Sequence, residues 1–216
     1  MKNNDAPLDP ATVTALLRAN VFTLSPADIG LNLASCAEVW GIMMELGYSE
    51  VVASLAVLAD GSASVYLSDG SGAVGCGLHP EVRDAATKML LVAQRMMGNC
   101  QAVTDYPLPT ESQVRFYLLT THGIVSAAVP RAELDDGAVD LAELYYAGHG
   151  VIGMIELLGA GVDVVDEMRL AQSKVQPHHP AGADDVSGQT ISGIQSRGRA
   201  CRILPYVGSA VRRWHS

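Results

Sequence analysis

The sequence predicts an α+β fold in which a five-stranded antiparallel sheet is flanked by helices, in the order α-β-β-α-β-β-β-α. Apolar residues recur at helical spacing in several long segments, separated by short valine-rich or alternating segments that are typical of strands. Tight-turn dipeptides join neighbouring strands, which favours antiparallel pairing. Of the 216 residues 49% are hydrophobic and 17% charged, which excludes a disordered chain. Helices packed on one antiparallel sheet would bury the apolar sides of both the helices and the strands.

Two helices are predicted before the first strand. Asp9 precedes Pro10, a capping residue followed by a first-turn proline, and apolar residues recur at helical spacing up to Asn20. A turn signal follows at 25–30, and residues 32–47 then carry a helical stripe that we expect to face the core. The stripe consists of Leu33, Cys36, Ala37, Trp40, Met43, Met44 and Gly47.

Two strands joined by a tight turn are predicted next. The apolar run VVASLAVLA at 51–59 indicates a buried strand, and the Asp-Gly dipeptide at 60–61 favours a hairpin turn. Residues 62–68 alternate, so one face of this second strand is apolar and the other, which includes Tyr66, is expected to meet solvent. The glycine-rich stretch DGSGAVGCG at 69–77 is expected to be a loop.

The clearest periodic segment is a helix that opens with His79, Pro80 and Glu81. Gly98 follows its end, and residues 100–106 can form a short third strand. The apolar stripe of the helix consists of Val82, Ala85, Ala86, Met89, Leu90, Ala93, Met96 and Met97.

Two further strands and a helix complete the predicted domain. The segments at 114–121 and 124–130 flank a His-Gly dipeptide at 122–123, which fits two antiparallel strands joined by a tight turn. A helix is predicted at 139–158, and its stripe is expected to pack on the sheet. That stripe aligns Leu141, Leu144, Tyr145, Gly148, Ile152 and Ile155.

We divide the chain into a helical N-terminal extension at 1–30, the α+β domain at 31–166, and a linker with a basic tail at 167–216. Charge is unevenly spread along it. All 23 acidic residues lie at or before Asp185 with 9 basic ones, a net charge of −14, whereas the tail at 186–216 carries +5. The tail could contact nucleic acid, an acidic partner or the acidic body itself. Its arginines are Arg197, Arg199, Arg202, Arg212 and Arg213.

Cysteine usage and hydropathy favour a cytoplasmic protein. No secretory leader is recognisable and no pair of cysteines has CxxC spacing, so we expect reduced thiols. The longest apolar stretch, 151–165, is interrupted by Glu156 and Asp163, and we expect no membrane segment. The four cysteines are Cys36, Cys76, Cys100 and Cys201.

The element order resembles that of the roadblock (dynein light chain 7) family and its profilin-like and longin relatives, over roughly residues 32–158. The stretches YLSDGSGAVGCG and VRFYLLTTHG also look like those of uncharacterised bacterial roadblock-like proteins. The resemblance implies a protein without catalytic residues that dimerises through sheets and helices and that regulates small GTPases or acts as a scaffold. The leading helix and the basic tail depart from the family pattern. By this analogy the shared surface would consist of Val82, Ala86, Met89, Ala93 and Met97.

Few residues are candidates for chemistry. Gly70, Gly72 and Gly75 have the GxGxxG spacing, but a dinucleotide site needs a helix that opens immediately afterwards, whereas here it opens near Pro80. Cys76 is the one thiol that could be reactive, since a helix amino end lowers a thiolate pKa; burial in the core is the alternative. We expect no zinc site, because the six histidines and the cysteines lack ligand spacing. The histidines are His79, His122, His149, His178, His179 and His215.

These observations lead to a noncatalytic adaptor or regulatory protein that acts through protein contacts, with a homodimer and a small GTPase as candidate partners. No cofactor, metal or membrane is expected. A nucleic-acid contact is not expected either, because five arginines make a weak phosphate footprint. The alternatives are a sensor that holds a small molecule between sheet and helix and a thiol-dependent enzyme that uses Cys76 and the glycine loop.

Overall fold

The computed structural model describes residues 8–32, 37–159 and 162–163. The α+β class is confirmed, but the predicted five-stranded sheet is wrong. The described residues form one antiparallel sheet with seven strands of at least three residues and a two-residue strand at its edge, in the order β5-β7-β6-β1-β2-β3-β4-β8. The strands are β1 (Val39–Gly47), β2 (Val52–Leu58), β3 (Ala63–Leu67), β4 (Gly72–Val74), β5 (Gln101–Val103), β6 (Gln113–Thr120), β7 (Gly123–Pro130) and β8 (Val162–Asp163). The α-helices are α1 (Pro10–Val21), α2 (Pro80–Met96), α3 (Arg131–Asp135) and α4 (Ala142–Leu158).

The largest correction concerns β1, which lies where the sequence predicts a helix at 32–47. This strand pairs with β2 on one side and β6 on the other, and all nine of its residues are buried. Ile42 belongs to the apolar cluster on one face of the sheet, whereas Trp40 and Met43 belong to the cluster on the other. A strand buried on both faces lacks the alternation of a half-exposed strand, so the spacing of its large residues imitated a helical stripe. Residues 33–36 of the predicted helix lie outside the described residues.

Both predicted hairpins are confirmed. Between β2 and β3, Gly61 has a φ of 92°, and the backbone N–H of Ser62 donates to Asp60 Oδ1 at 2.8 Å. Between β6 and β7, Thr120 pairs with Gly123, whose φ is 124°, and Thr120 Oγ1 donates to the carbonyl of Gly123 at 2.7 Å. In each turn a glycine takes the positive φ that other residues avoid.

Several boundaries differ from the prediction. β4 lies inside the stretch 69–77 that was expected to be a loop, and β8 pairs with it after α4. The predicted third strand at 100–106 is reduced to β5, which pairs with β7 at the opposite edge of the sheet. The short helix α3 follows β7 directly, and α4 begins at Ala142 rather than 139. The long loop between β5 and β6 runs over the face that carries Met43, where Tyr106 packs against the apolar cluster.

Helices α2 and α4 cover one face of the sheet. They pack on each other in antiparallel fashion, since Arg95 near the end of α2 forms an ion pair with Glu143 near the start of α4. The stripe predicted for the last helix is confirmed as its buried side. Gly148 is where the backbone of α4 comes close to Met44 of β1 and Met89 of α2. A Cβ atom there would lie 2.5 Å from Met44 Cε, so a larger residue would require the Met44 side chain to move.

Helix α1 covers the opposite face, which gives the molecule three layers. Asp9 caps the helix as predicted, because its carboxylate accepts the backbone N–H of Thr12 at 3.2 Å. Val13 and Val21 pack on the sheet in a cluster that includes Tyr66. Tyr66 is therefore buried, and the solvent-exposed face predicted for this strand is wrong at that position.

Candidate functional site

A fully buried carboxylate, Glu45, lies on the face of β1 that α1 covers. Arg18 of α1 holds it with two hydrogen bonds, from Nε to Oε1 at 2.6 Å and from Nη2 to Oε2 at 2.9 Å. Ser54 Oγ donates to Oε1 at 2.8 Å, and Arg18 Nη2 also donates to the carbonyl of Tyr106 at 2.8 Å. With its charge paired and its oxygens occupied, Glu45 anchors α1 to the sheet and has no geometry for acid–base work.

This ion pair is not among the features that the sequence predicts. A signal was present, because Glu45 is the only charged residue inside the nine-residue apolar run VWGIMMELG. A charge buried in such a run requires a partner of opposite sign. The partner lies 27 positions earlier on another element, and no local pattern indicates that distance.

An aromatic cluster secures the end of α1 beside this ion pair. Phe22 stacks on Tyr106 with ring centroids 4.3 Å apart, and Tyr117 meets both rings edge-on. The hydroxyl of Tyr117 donates to the carbonyl of Pro107 at 2.5 Å. Burial raises the pKa of Tyr117, which therefore stays a neutral donor at physiological pH. The cluster is a packing element that ties the loop before β6 to α1.

A small cavity lies between α1 and the sheet. Its volume is about 70 Å³, and Thr14, Arg18, Ser54, Tyr66 and Leu108 are among the residues that line it. A metabolite site commonly has a volume of about 300–1,000 Å³, and one water occupies about 30 Å³. The cavity could hold a few waters but is well below the size of a metabolite site, so it gives the sensor hypothesis no support.

The two described cysteines are poorly placed for nucleophilic chemistry. Cys76 lies in the 3₁₀ turn Cys76–Leu78 just before α2, as the sequence suggested, but its side chain is fully buried in the main core. Cys100 is partly buried, and burial raises the pKa of its thiol to about 11, so the thiolate is scarce at neutral pH. Cys36 and Cys201 lie outside the described residues.

The GxGxxG glycines serve turns and close packing. A Cβ atom on Gly70 would lie 2.4 Å from the Cβ of Pro10, so this turn packs directly on the start of α1. Gly72 belongs to β4, and Gly75 precedes the 3₁₀ turn with a φ of 69°. The next α-helix opens only at Pro80, so its N-terminus does not follow these glycines as in a dinucleotide-binding loop.

The described histidines lie apart. His79 precedes α2, His122 is in the β6–β7 turn, and the ring of His149 in α4 packs edge-on against Tyr145 at 4.4 Å. Among the residues that the structure describes, no group of three or more His, Cys, Asp or Glu side chains could hold a metal ion. The histidines at 178, 179 and 215 lie outside the described residues.

The structure places the stripe predicted as a shared surface inside the subunit. Val82, Met89 and Ala93 are fully buried, Ala86 is nearly so, and Met97 packs against the same core with partial exposure. This side of α2 faces the sheet and α4. A contact surface on the helical layer would have to use the outward side chains of α2 and α4 instead.

An uncharged stripe runs along the outward side of α4 for about three turns, between the exposed Glu143 and Glu156. Tyr146 and Leu157 are 52% and 76% exposed, and Gly150 and Gly153 lie between them on the same stripe, at spacings of four, three and four residues. A Cβ atom on either glycine would meet no atom within 4 Å. Glycine inside a helix costs about 1 kcal/mol relative to alanine, so packing within the subunit explains Gly148 but neither outward glycine.

Carboxylates dominate the charge of the folded body. The described chain carries 18 acidic and 6 basic residues, a net charge of −12. Several of the basic side chains bind groups within the fold: Arg18 binds Glu45, Arg95 binds Glu143, and Arg131 donates to the carbonyl of Gly47. A body of this charge repels phosphate backbones. The basic segment at 186–216 lies outside the described residues.

No protein-family model, curated protein or solved structure matches this chain. The resemblance to the roadblock family therefore stays a prediction, and it depended on an element order whose helix at 32–47 is corrected above. In the described part of the chain, no helix is long and apolar enough to cross a membrane.

Proposed function

We propose that the protein is a noncatalytic adaptor or regulatory protein that acts through protein–protein contact, with the outward side of α4 as its contact surface. The observation that carries this proposal is the uncharged stripe formed by Tyr146, Gly150, Gly153 and Leu157. The solvent face of a surface helix is normally polar or charged. A solvent-facing stripe without charge is typical of a surface that is covered in an assembly.

The outward glycines strengthen the argument. Each lowers helix stability, and neither relieves a close contact within the subunit. A backbone without side chains does allow a second helix to approach closely. The exposed rings and methyl groups of Tyr146 and Leu157 then supply the apolar area at the two ends of the stripe.

Two groups that could have carried chemistry are closed off from solvent. Glu45 and Cys76 are fully enclosed, so neither can meet a substrate. A small GTPase was suggested by resemblance alone, and no described side chain favours that partner. The proposal therefore concerns protein contact as a class. The net charge of −12 on the described chain favours partners whose contact surface is neutral or basic.

Site-specific photo-crosslinking of the full chain in its source cells tests the proposal. We expect a crosslinker at position 150 to give an adduct of discrete mass with a protein, including a second copy of the chain. The control is position 16, because Leu16 on α1 is 49% exposed on the opposite face. Adducts at 16 and none at 150 would contradict the proposal. With Leu157→Glu the adduct at 150 should be lost, and with Leu16→Glu it should persist.

A further inference from the structure

We propose that the basic tail of the chain, residues 186–216, covers the outward side of α4 in the same molecule and is displaced when a protein partner binds. The inference rests on the proposed function, because it concerns the regulation of the same surface. It follows from the charge of the helical layer, from the composition of the tail and from the place where the described chain ends.

The helical layer, formed by α2, α3, α4 and the turn between α3 and α4, carries more negative charge than the opposite face. Its residues 80–96 and 131–158 include eight acidic and four basic side chains, a net charge of −4. Residues 8–32, which include α1, have two acidic side chains and one basic, a net charge of −1. A positively charged segment is therefore attracted more strongly to the helical layer than to the face that α1 covers.

Carboxylates stand near both ends of the uncharged stripe. The hydroxyl of Tyr146 donates to the carbonyl of Asp135 at 2.9 Å, which places the end of α3 beside the first residue of the stripe. Asp136 and Asp140 are exposed here and form no ion pair within the described chain, and Glu156 is exposed near the other end. An occupant that is apolar in the middle and basic on both sides would match this surface.

The tail has that composition. It contains five arginines and no acidic residue, and the apolar run ILPYV at 203–207 has arginines before and after it. Five residues in extended form span about 16 Å. Tyr146 and Leu157 are eleven residues apart on one helix, which is also about 16 Å. The run can therefore cover the stripe while the arginines reach the carboxylates at its two ends.

The glycines of the stripe leave room for a single segment of chain. A Cβ atom on Gly150 or Gly153 would meet no atom within 4 Å, so the backbone of α4 is open between the large side chains of Tyr146 and Leu157. Two folded proteins normally bury about 800 Å² each, which is more than this stripe offers. A segment of the same chain needs less area, because its binding is an intramolecular event.

The described chain ends within reach of this face. Helix α4 ends at Leu158, and five residues later Asp163 pairs with Ala73 at the edge of the sheet. Position 203 follows 40 residues after Asp163, a length that can reach about 130 Å when extended, whereas α4 is about 25 Å long. The tether therefore allows the apolar run to reach any part of the stripe.

A covered stripe lowers the apparent affinity for a protein partner. The partner binds only those molecules whose stripe is free, so a tail that covers nine molecules in ten raises the apparent Kd about tenfold. The attraction between the tail and the helical layer involves exposed charges, which salt screens. Added salt should therefore release the tail and expose the stripe.

Photo-crosslinking within the purified full chain tests the inference. With the crosslinker at position 150, we expect peptide mass spectrometry of the monomer fraction to find links to the basic tail. Their yield should fall as salt is raised from about 0.05 M to about 0.5 M. Position 16 on α1 is the matched control, and its links to the tail should be rarer by roughly fivefold or more.

Two matched comparisons of variants locate the contact. Replacing the five tail arginines by glutamine should lower the yield of the link about tenfold, whereas lysine, which keeps the charge, should retain about half of it or more. Asp136→Asn with Asp140→Asn should lower the yield about threefold. Asp69→Asn with Asp105→Asn, which changes two turns beside α1, should leave it within about 1.5-fold. In source cells the glutamine variant should give more protein adduct at position 150 than the wild type.

The outcomes separate this inference from the proposed function. If position 150 links to another protein but not to the tail, the inference fails and the proposed function stands. Links to the tail that form only between two chains, or equally from positions 16 and 150, also overturn the inference. If the tail links to position 150 while neither the wild type nor the glutamine variant gives a protein adduct, the tail covers the stripe and the proposed function is rejected.

Discussion

The ion pair between Arg18 and Glu45 predicts that Arg18→Met destabilises the fold far more than the loss of an ordinary surface charge. The substitution keeps an unbranched apolar stem under α1 but removes the guanidinium. Glu45, which has no solvent exposure, then loses two of its three described hydrogen bonds and keeps the one from Ser54. An uncompensated charge would remain in the interior.

The expected loss is about 3 kcal/mol in the free energy of unfolding. Breaking a buried pair by removing one partner costs about 3–5 kcal/mol. The lower end applies for two reasons. The side chain of Arg18 is 18% exposed, so water can approach the site, and Arg115 lies directly opposite Glu45 in the pairing of β1 with β6. A natural domain has about 5–15 kcal/mol in total, so the loss is a large fraction of it.

The assay is equilibrium urea unfolding of four proteins: the wild type, Arg18→Met, Glu45→Met and the double variant. The double variant buries no charge, so we expect its free energy of unfolding to be within about 1–2 kcal/mol of the wild-type value and higher than that of Arg18→Met. Its remaining deficit relative to the wild type comes from the hydrogen bonds that Ser54 and the carbonyl of Tyr106 no longer make. Lys88→Met, which removes an exposed cation from α2, is the matched control and should change stability by about 0.5 kcal/mol or less. An Arg18→Met loss no greater than the Lys88→Met change would refute the reasoning.

Two further predictions concern close packing and thiol chemistry. Gly77→Ala should lower the free energy of unfolding by more than about 2 kcal/mol, because the added Cβ would lie 1.8 Å from the carbonyl oxygen of Gly61. Gly98→Ala is the control: it has open space around the added atom and should change this free energy by about 0.5 kcal/mol or less, as measured by thermal or urea unfolding. If both variants unfold alike, the packing argument is wrong. In the native protein Cys76 should resist alkylation, and Cys100 should react slowly at pH 7.5 and faster as the pH approaches its pKa of about 11, as followed by peptide mass spectrometry. The ordinary thiol pKa is 9.0, so the raised pKa of Cys100 means that its protonated thiol favours the folded state. This contribution to the free energy of unfolding should decline as the pH rises through 9 towards 11. Rapid labelling of Cys76 in the native protein would contradict its burial.

Local sequence patterns predicted two kinds of element: strands joined by a turn dipeptide and helices with one apolar side. The Asp-Gly and His-Gly dipeptides marked both hairpins, because glycine meets the positive φ of a tight turn wherever the turn lies. The three long helices were found from caps and from stripes such as Leu144, Gly148 and Ile152, since a helix half-covered by a sheet keeps a periodic apolar side.

The central strand β1 could not be predicted in this way. Its two faces are both covered, one by α2 and α4 and the other by α1, and a residue's neighbours on those faces come from distant parts of the chain. Burial on both sides removes the alternation that identifies a strand. The helical spacing of Trp40, Met43 and Met44 was then the only periodicity left to interpret.

The sequence by itself determined the α+β class, the hairpins, the inward sides of the long helices and the contrast between an acidic body and a basic tail. Those properties depend on neighbours within a few positions or on composition alone. Tertiary structure decided that β1 is the central strand, that Arg18 reaches Glu45, that Cys76 is enclosed, and that Gly150 and Gly153 face outward without an internal reason. Each of these depends on which distant elements meet across the sheet, and packing in three dimensions alone establishes that.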